Sequence, residues 1–275
     1  MKQRSLFALM LVIGLSTGCS DGKKGHKALA SEDMPEEEPL PERFENDDLP
    51  KAADELFDDF MYYFATNERL QRRRIAFPLT IVDEKRNEKS TVDEEQWKME
   101  PFFTTDDSYT LIFDNSEQRE ALQDTTIDCT VVEKIFLEDD SVCQYAFKRN
   151  DGRWMLTGIR MQAMAVNPYA AFLNFYREFT KDSVFQRKSL SDEIAFTGPD
   201  PDDDFSTMEG FITPEAWDAF APELPTDSIY NIVYGEQNAS AKEKVLVICG
   251  ISNGLETELT FQQKKGKWKL TKLTE

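Results

Sequence analysis

"KKGKWKLTKL", residues 264–273, nearly repeats "NDGRWMLTGI", residues 150–159. Each copy closes a turn on Gly, sets a Trp two residues later and runs on through Leu-Thr into alternating residues. That is the pattern of a tight hairpin feeding a half-buried strand. The match extends upstream. "ELFDDFMYYFATNERLQRRRIAF" sets Phe57, Phe60 and Phe64 at helical spacing, and "AFLNFYREFTKDSVFQRKSL" sets Phe172, Phe175 and Phe179 likewise, 115 residues on. Gln71-Arg72 and Gln186-Arg187 keep that offset; Trp97 in "EEQWKMEPF" and Trp217 in "PEAWDAFAP" stand 120 apart, and Trp154 and Trp268 stand 114 apart. Anchors in one order at nearly one offset make a tandem duplication the economical explanation.

Each half then follows one plan. An amphipathic helix and a short second helix lead to a Trp-bearing short helix and four long strands. These strands lie near "YTLIFDN", "TIDCTVVEKIFLE", "SVCQYAFKR" and "RWMLTGIRM", and again near "SIYNIVYGE", "EKVLVICGI", "ETELTFQQK" and "KWKLTKLTE". Helices first and strands afterwards predict an α+β fold of two tandem cone-shaped domains, 51–163 and 164–275, each with N-terminal helices on a curved antiparallel sheet. The Phe stripes are the core faces of those helices. Trp154 and Trp268 are expected at equivalent places, each over the sheet of its own half.

The chain's 275 residues and 20 Phe suffice for real cores, and its net charge of −20 argues against nucleic acid, whose phosphates it would repel. "MKQRSLFALMLVIGLSTGCS" has Lys2 and Arg4, an apolar run from Leu6 to Leu15 and small residues up to Cys19. The run is too short to span a bilayer and reads as a signal peptide over 1–18. "STGC" resembles the lipobox of bacterial lipoproteins, which implies that Cys19 is lipidated and becomes the mature N-terminus. Residues 19–50, with the acidic run "SEDMPEEEPLPERFENDD", read as a disordered tether. The expected place is the bacterial envelope, as an outer-membrane lipoprotein on its periplasmic or its surface face.

Cys129, Cys143 and Cys249 remain, enough for one bridge; Cys129 and Cys143 flank a turn out of cross-strand register, and all three read as small buried hydrophobes. There is no Cys-x-x-Cys and the only His is His26, so no metal and no cofactor is expected.

With its helical start, Trp and four-strand tail, each half looks like a nuclear transport factor 2-like domain, the cone-shaped fold also called cystatin-like. The lipobox, the acidic tether and the paired "F..F", "Q-R" and "G-[RK]-W-x-L-T" motifs resemble an uncharacterised family of bacterial lipoproteins with two such domains, over residues 52–275. The first half keeps "RIAFPL" (74–79), whereas "SDEIAFTGPDPDDDF" (191–205) is expected to interrupt its counterpart. The fold hosts enzymes, binding modules and adaptors alike. Its enzymes commonly use an Asp, His or Tyr inside the cone.

The expected folded body holds no His, which removes the commonest general base and His-activated nucleophiles and leaves carboxylate chemistry. Asp200, Asp202 and Asp204 in "DPDDDFSTMEG" alternate as in a calcium loop, but Phe205 stands where the turn needs Gly, so the segment reads as a solvated loop. Arg72, Arg73 and Arg74 read as a helix face paired with nearby acids. Trp97 and Trp217 either line a pocket mouth and stack on a flat ligand or close the core beneath the short helix. The leading expectation is a non-enzymatic module, held to the membrane by its lipid, that binds a small molecule, glycan or protein partner. The alternatives are a carboxylate-dependent hydrolase or isomerase in one cone, marked by a deep pocket with a buried acid near Tyr or Trp, and a structural scaffold, marked by two filled cones.

Overall fold

Phe57, Phe60, Met61, Phe64 and Ala65 fall on one side of a helix and are all buried. They form the inner face of α1 (Phe57–Thr66). Asn67 then starts α2 (Glu68–Arg73) by accepting the Leu70 N–H at 3.1 Å. The structure, a computed structural model, describes residues 51–104, 108–200, 203–251 and 254–275; the signal peptide, Cys19 and the tether over 19–50 lie outside the described residues. Strands β1 (Ile75–Asp83), β2 (Glu88–Val92), β3 (Ser108–Phe113), β4 (Cys129–Phe136), β5 (Ser141–Asn150) and β6 (Arg153–Ala163) follow. The second half repeats this order with α3 (Ala170–Lys181), α4 (Ser183–Lys188), β7 (Leu190–Asp200), β8 (Asp203–Ile212), β9 (Ser228–Val233), β10 (Glu243–Gly250), β11 (Glu256–Lys264) and β12 (Lys267–Thr274). At α4 the capping side chain is Asp182, which accepts from Val184 N and Phe185 N.

Each half therefore contributes six strands rather than four. Of the interruption expected over 191–205, residues 191–200 lie in strand β7 and 203–205 in β8, and the reading of residues 200–210 as a solvated loop is corrected likewise, since Asp200 ends β7 and 203–210 lie in β8, paired antiparallel with it. The sheets are mixed, because β1 runs parallel to β6 and β7 parallel to β12, while the other pairs are antiparallel. Helices α2 and α4 sit directly before β1 and β7 in the chain.

The first sheet runs β2-β1-β6-β5-β4-β9 and the second β8-β7-β12-β11-β10-β3. The order is the same, but the last strand of each comes from the other half. β9 pairs with β4, with Val233 opposite Val131; β3 pairs with β10, with Phe113 opposite Val245. Where the exchanged strands pass each other, Tyr230 N donates to Thr110 Oγ1 at 3.1 Å and Ile112 N to Asn231 Oδ1 at 2.9 Å. These bonds satisfy polar groups that would otherwise be buried without partners.

Two aromatic cores result. Phe57 meets Trp154 at 5.0 Å and Phe147 at 5.3 Å between ring centroids; Phe172 meets Trp268 and Phe261, each at 5.4 Å. Burial of each such ring contributes roughly 1.5–3 kcal/mol. The "GRW" and "GKW" turns are alike: Asp151 and Gly152 have φ of 50° and 76°, Lys265 and Gly266 of 51° and 77°. Two left-handed residues in a row suit the right-handed twist of a hairpin, and Gly takes the second at no steric cost. Cys143 is buried and Cys249 partly so, but Cys129 is exposed, against expectation, and all three are free thiols. Register explains the absence of a Cys129–Cys143 bridge, since Cys129 faces Lys148 and Cys143 faces Lys134.

Candidate functional site

Trp97 and Trp217 are buried, each with its indole N–H on a glutamine of the short helix: Trp97 Nε1 to Gln71 Oε1 and Trp217 Nε1 to Gln186 Oε1, both at 3.2 Å. Gln71 also accepts Glu100 N at 3.0 Å and donates to Glu100 O at 2.7 Å. The repeated Gln and the repeated Trp are thus one device that pins the segment after β2, or β8, to α2 or α4. Neither Trp lines the cavities described below. Arg72 pairs with Glu68 at 3.0 Å on the face of α2, whereas Arg74 lies just past that helix, buried, and pairs with Asp54 at 2.7 Å, so the three arginines do not form one helix face.

One carboxyl in the first half has its acidity changed by burial. Asp58, on the first turn of α1, accepts from Tyr234 Oη just past β9, and Tyr109 on β3 stands opposite Cys249 on β10. Burial, opposed by the Tyr234 hydrogen bond and aided by Asp59, raises the Asp58 pKa from 3.8 to about 6. Burial also pushes the Tyr109 and Tyr234 hydroxyls up and the Cys249 thiol to about 11, so all three stay protonated at neutral pH. A carboxyl near 6 beside a phenol has the protonation range of a general acid or base. Asp58 does not line the polar cavity of about 370 Å³ that reaches Tyr109 and runs along residues 223–230, however.

The shift carries a stability prediction. The folded state holds a proton that the unfolded chain has released, so Asp58 favours folding at low pH. That contribution is lost as pH rises through about 6, and above it the buried charge costs roughly 2–3 kcal/mol. Asp58→Asn, which keeps an acceptor for Tyr234, is expected to raise stability by about that amount at pH 8 and by little at pH 4, measured by urea unfolding. Equal effects at the two pH values would refute the assignment.

The mouths of the two cones differ. In the first, the 3-10 turn Lys51–Asp54 lies over the "GRW" hairpin. Asp54 accepts from both terminal nitrogens of Arg74, at 2.7 and 2.8 Å, and from Trp154 N at 3.1 Å. Arg149 lies 4.7 Å above the Trp154 ring and donates to the carbonyls of Asp54 and Glu55. Trp154 is fully covered. In the second, the corresponding mouth is an open groove of about 450 Å³ floored by Phe175, Phe185 and Trp268 and rimmed by Lys188, Lys267 and Lys269. Lys269 Nζ is held by the carbonyls of Lys188 and Leu190, whereas Lys188 and Lys267 are exposed and have no ion-pair partner among the described residues. This is a small cationic surface in an acidic protein, with an apolar floor of the size that small ligands fill. The pattern of "KKGKWKLTKL" predicts a hairpin; its lysines are the local signal of the groove, but only the fold brings Lys188 beside them.

Comparison with known proteins places the chain. The signature of a family described as a domain of unknown function, DUF4348, matches residues 36–275. The chain belongs to the DUF4348 family. A crystallographically determined NTF2-like protein from Bacteroides fragilis NCTC 9343 is 38% identical, with a TM-score of 0.75, covering 82% of this chain and 98% of its own. This DUF4348 chain therefore has the nuclear transport factor 2-like fold. No curated protein matches it.

Proposed function

We propose that this chain is a bacterial envelope lipoprotein, its two cones the product of a tandem duplication, acting as a non-enzymatic module that binds a small molecule, glycan or protein partner. The observation that carries the reading is the contrast between filled interiors and an open groove. Aromatic side chains pack both cones, and the second cone leaves Phe175, Phe185 and Trp268 beneath a 450 Å³ opening. Binding is tested by following the indole N–H of Trp268 in nitrogen-15 spectra while small molecules and glycans are added; a signal unmoved by all of them removes the reading. A second reading, carboxylate chemistry in the first cone, draws on Asp58 near pKa 6 beside Tyr234.

The anchor is proposed from the N-terminal sequence, with the outer membrane as its place. A diacylated Cys19 would be the attachment, since two acyl chains hold where one holds only marginally. Cys19→Ser is expected to leave the precursor unprocessed or release the protein from salt-washed membranes. Fractionation of the variant with membranes as wild type does would reject the anchor.

A further inference from the structure

We infer that the groove over Trp268 takes a small organic carboxylate with a flat apolar body, its head group set among Lys188, Lys267 and the backbone N–H of Trp268. The inference rests on the groove being a binding site, and its argument comes from the chain's other half.

The two mouths correspond position by position in hydrogen bonds and strand register. Leu156 N donates to Arg74 O at 2.8 Å and Leu270 N to Ser189 O at 2.8 Å, so Ser189 stands where the first half has Arg74. Arg149 faces Trp154 and Gln263 faces Trp268 in the matching hairpins, so Gln263 stands for Arg149. Asp54 and Tyr169 each stand three residues before the leading Phe of the helix, and Tyr169 turns inward, its ring 3.6 Å from Lys244 Nζ.

The first mouth thus supplies everything from its own chain: guanidinium groups over Phe60 and Trp154, and a carboxylate on the Trp154 N–H. The second mouth keeps cations, now at the rim as Lys188 and Lys267, and lacks the carboxylate. Its arginines have become Ser189 and Gln263, which vacates a slab of space above Phe175 and Trp268. Hairpin register directs the Trp268 N–H as it directs that of Trp154: the pair Lys264–Lys267 closes the turn, so Trp268 points its N–H away from β11. A ligand that restores the missing carboxylate and fills the slab with a flat apolar body completes the arrangement that the first half builds covalently.

The test titrates the whole protein with 2-naphthoate and, separately, with its neutral counterpart 2-naphthamide. The readout is the Trp268 indole N–H, assigned by its loss in Trp268→Phe; Trp268 Nε1 has no hydrogen-bond partner in the protein. Naphthoate is expected to shift the signal saturably, and naphthamide to bind roughly tenfold more weakly or worse. The double variant Lys188→Glu/Lys267→Glu is expected to weaken naphthoate by at least as much. Ser189→Arg/Gln263→Arg, which rebuilds the seal of the first mouth, is expected to abolish the shift, with melting curves confirming that both variants fold. Equal binding of naphthamide would overturn the anion assignment and leave the binding module standing, as would preferential binding of a peptide copy of residues 51–57. No response to any probe, or a response indifferent to the arginine pair, would remove the groove as a site and the proposed function with it.

Discussion

Residues 51–163 and 164–275, produced as separate chains, are expected not to fold, whereas the two produced together are expected to assemble into one particle of native size. Each half alone lacks the last strand of its sheet and carries a strand meant for the other. Leu111, Ile112 and Phe113 on β3, and Ile229, Tyr230 and Ile232 on β9, are all buried, on strands whose sheet partners β10 and β4 belong to the opposite half. Exposing three large apolar side chains in a half, together with the facing rows of β4 or β10, costs on the order of 10 kcal/mol, which is the whole stability of an ordinary domain. The unpaired edge would also invite aggregation. Size-exclusion chromatography and circular dichroism of each half and of the mixture decide the matter. The competing outcome is specific: a soluble monomeric half with a cooperative melt would mean that β3 folds back onto β4, or β9 onto β10, in place of its exchanged partner.

That competing outcome also explains why the exchange could not be read from the sequence. "SYTLIF" and "SIYNIV" are apolar strands of the same length, and nothing local tells either which partner to choose. Features whose cause is local were legible. The Phe stripes follow from helical period, the two Gly-Trp hairpins from turn chemistry, and the repeated Gln and Trp proved to be one hydrogen bond made twice. The β1–β2 and β7–β8 hairpins were not legible, because Pro78 and Pro199 interrupt the strand pattern and β2 is almost wholly exposed, so it lacks alternation. Asp58 was one of 52 acidic residues until packing singled it out. The groove lay in the differences between the two halves, and the contrast of Arg149 with Gln263 acquires meaning only once Arg149 is seen lying over Trp154.

The exchanged strands are fastened differently, and the difference predicts where the assembly is most fragile. On the first sheet Thr130 Oγ1 donates to Val233 O at 2.7 Å, a neutral hydrogen bond worth about 1 kcal/mol. On the second, the counterpart of Thr130 is Lys244, which reaches Asp114 just beyond β3; both are buried. Asp114 further accepts Asn238 N at 2.8 Å and Gln118 Nε2 at 3.3 Å. Burial lowers the Lys244 pKa although Asp114 opposes it, so desolvation consumes much of what the pair returns. The intact pair therefore adds little net stability, but removing one member strands the other charge inside the protein. Lys244→Met is expected to cost roughly 3–5 kcal/mol, against about 1 kcal/mol for Thr130→Val. Adding Asp114→Asn to Lys244→Met, which removes the orphaned charge and keeps acceptors for Asn238 and Gln118, is expected to recover most of the loss. Guanidinium unfolding of the three variants measures this. A double variant no more stable than Lys244→Met alone would mean that the pair itself, rather than the cost of leaving Asp114 unpaired, holds β3 in the second sheet.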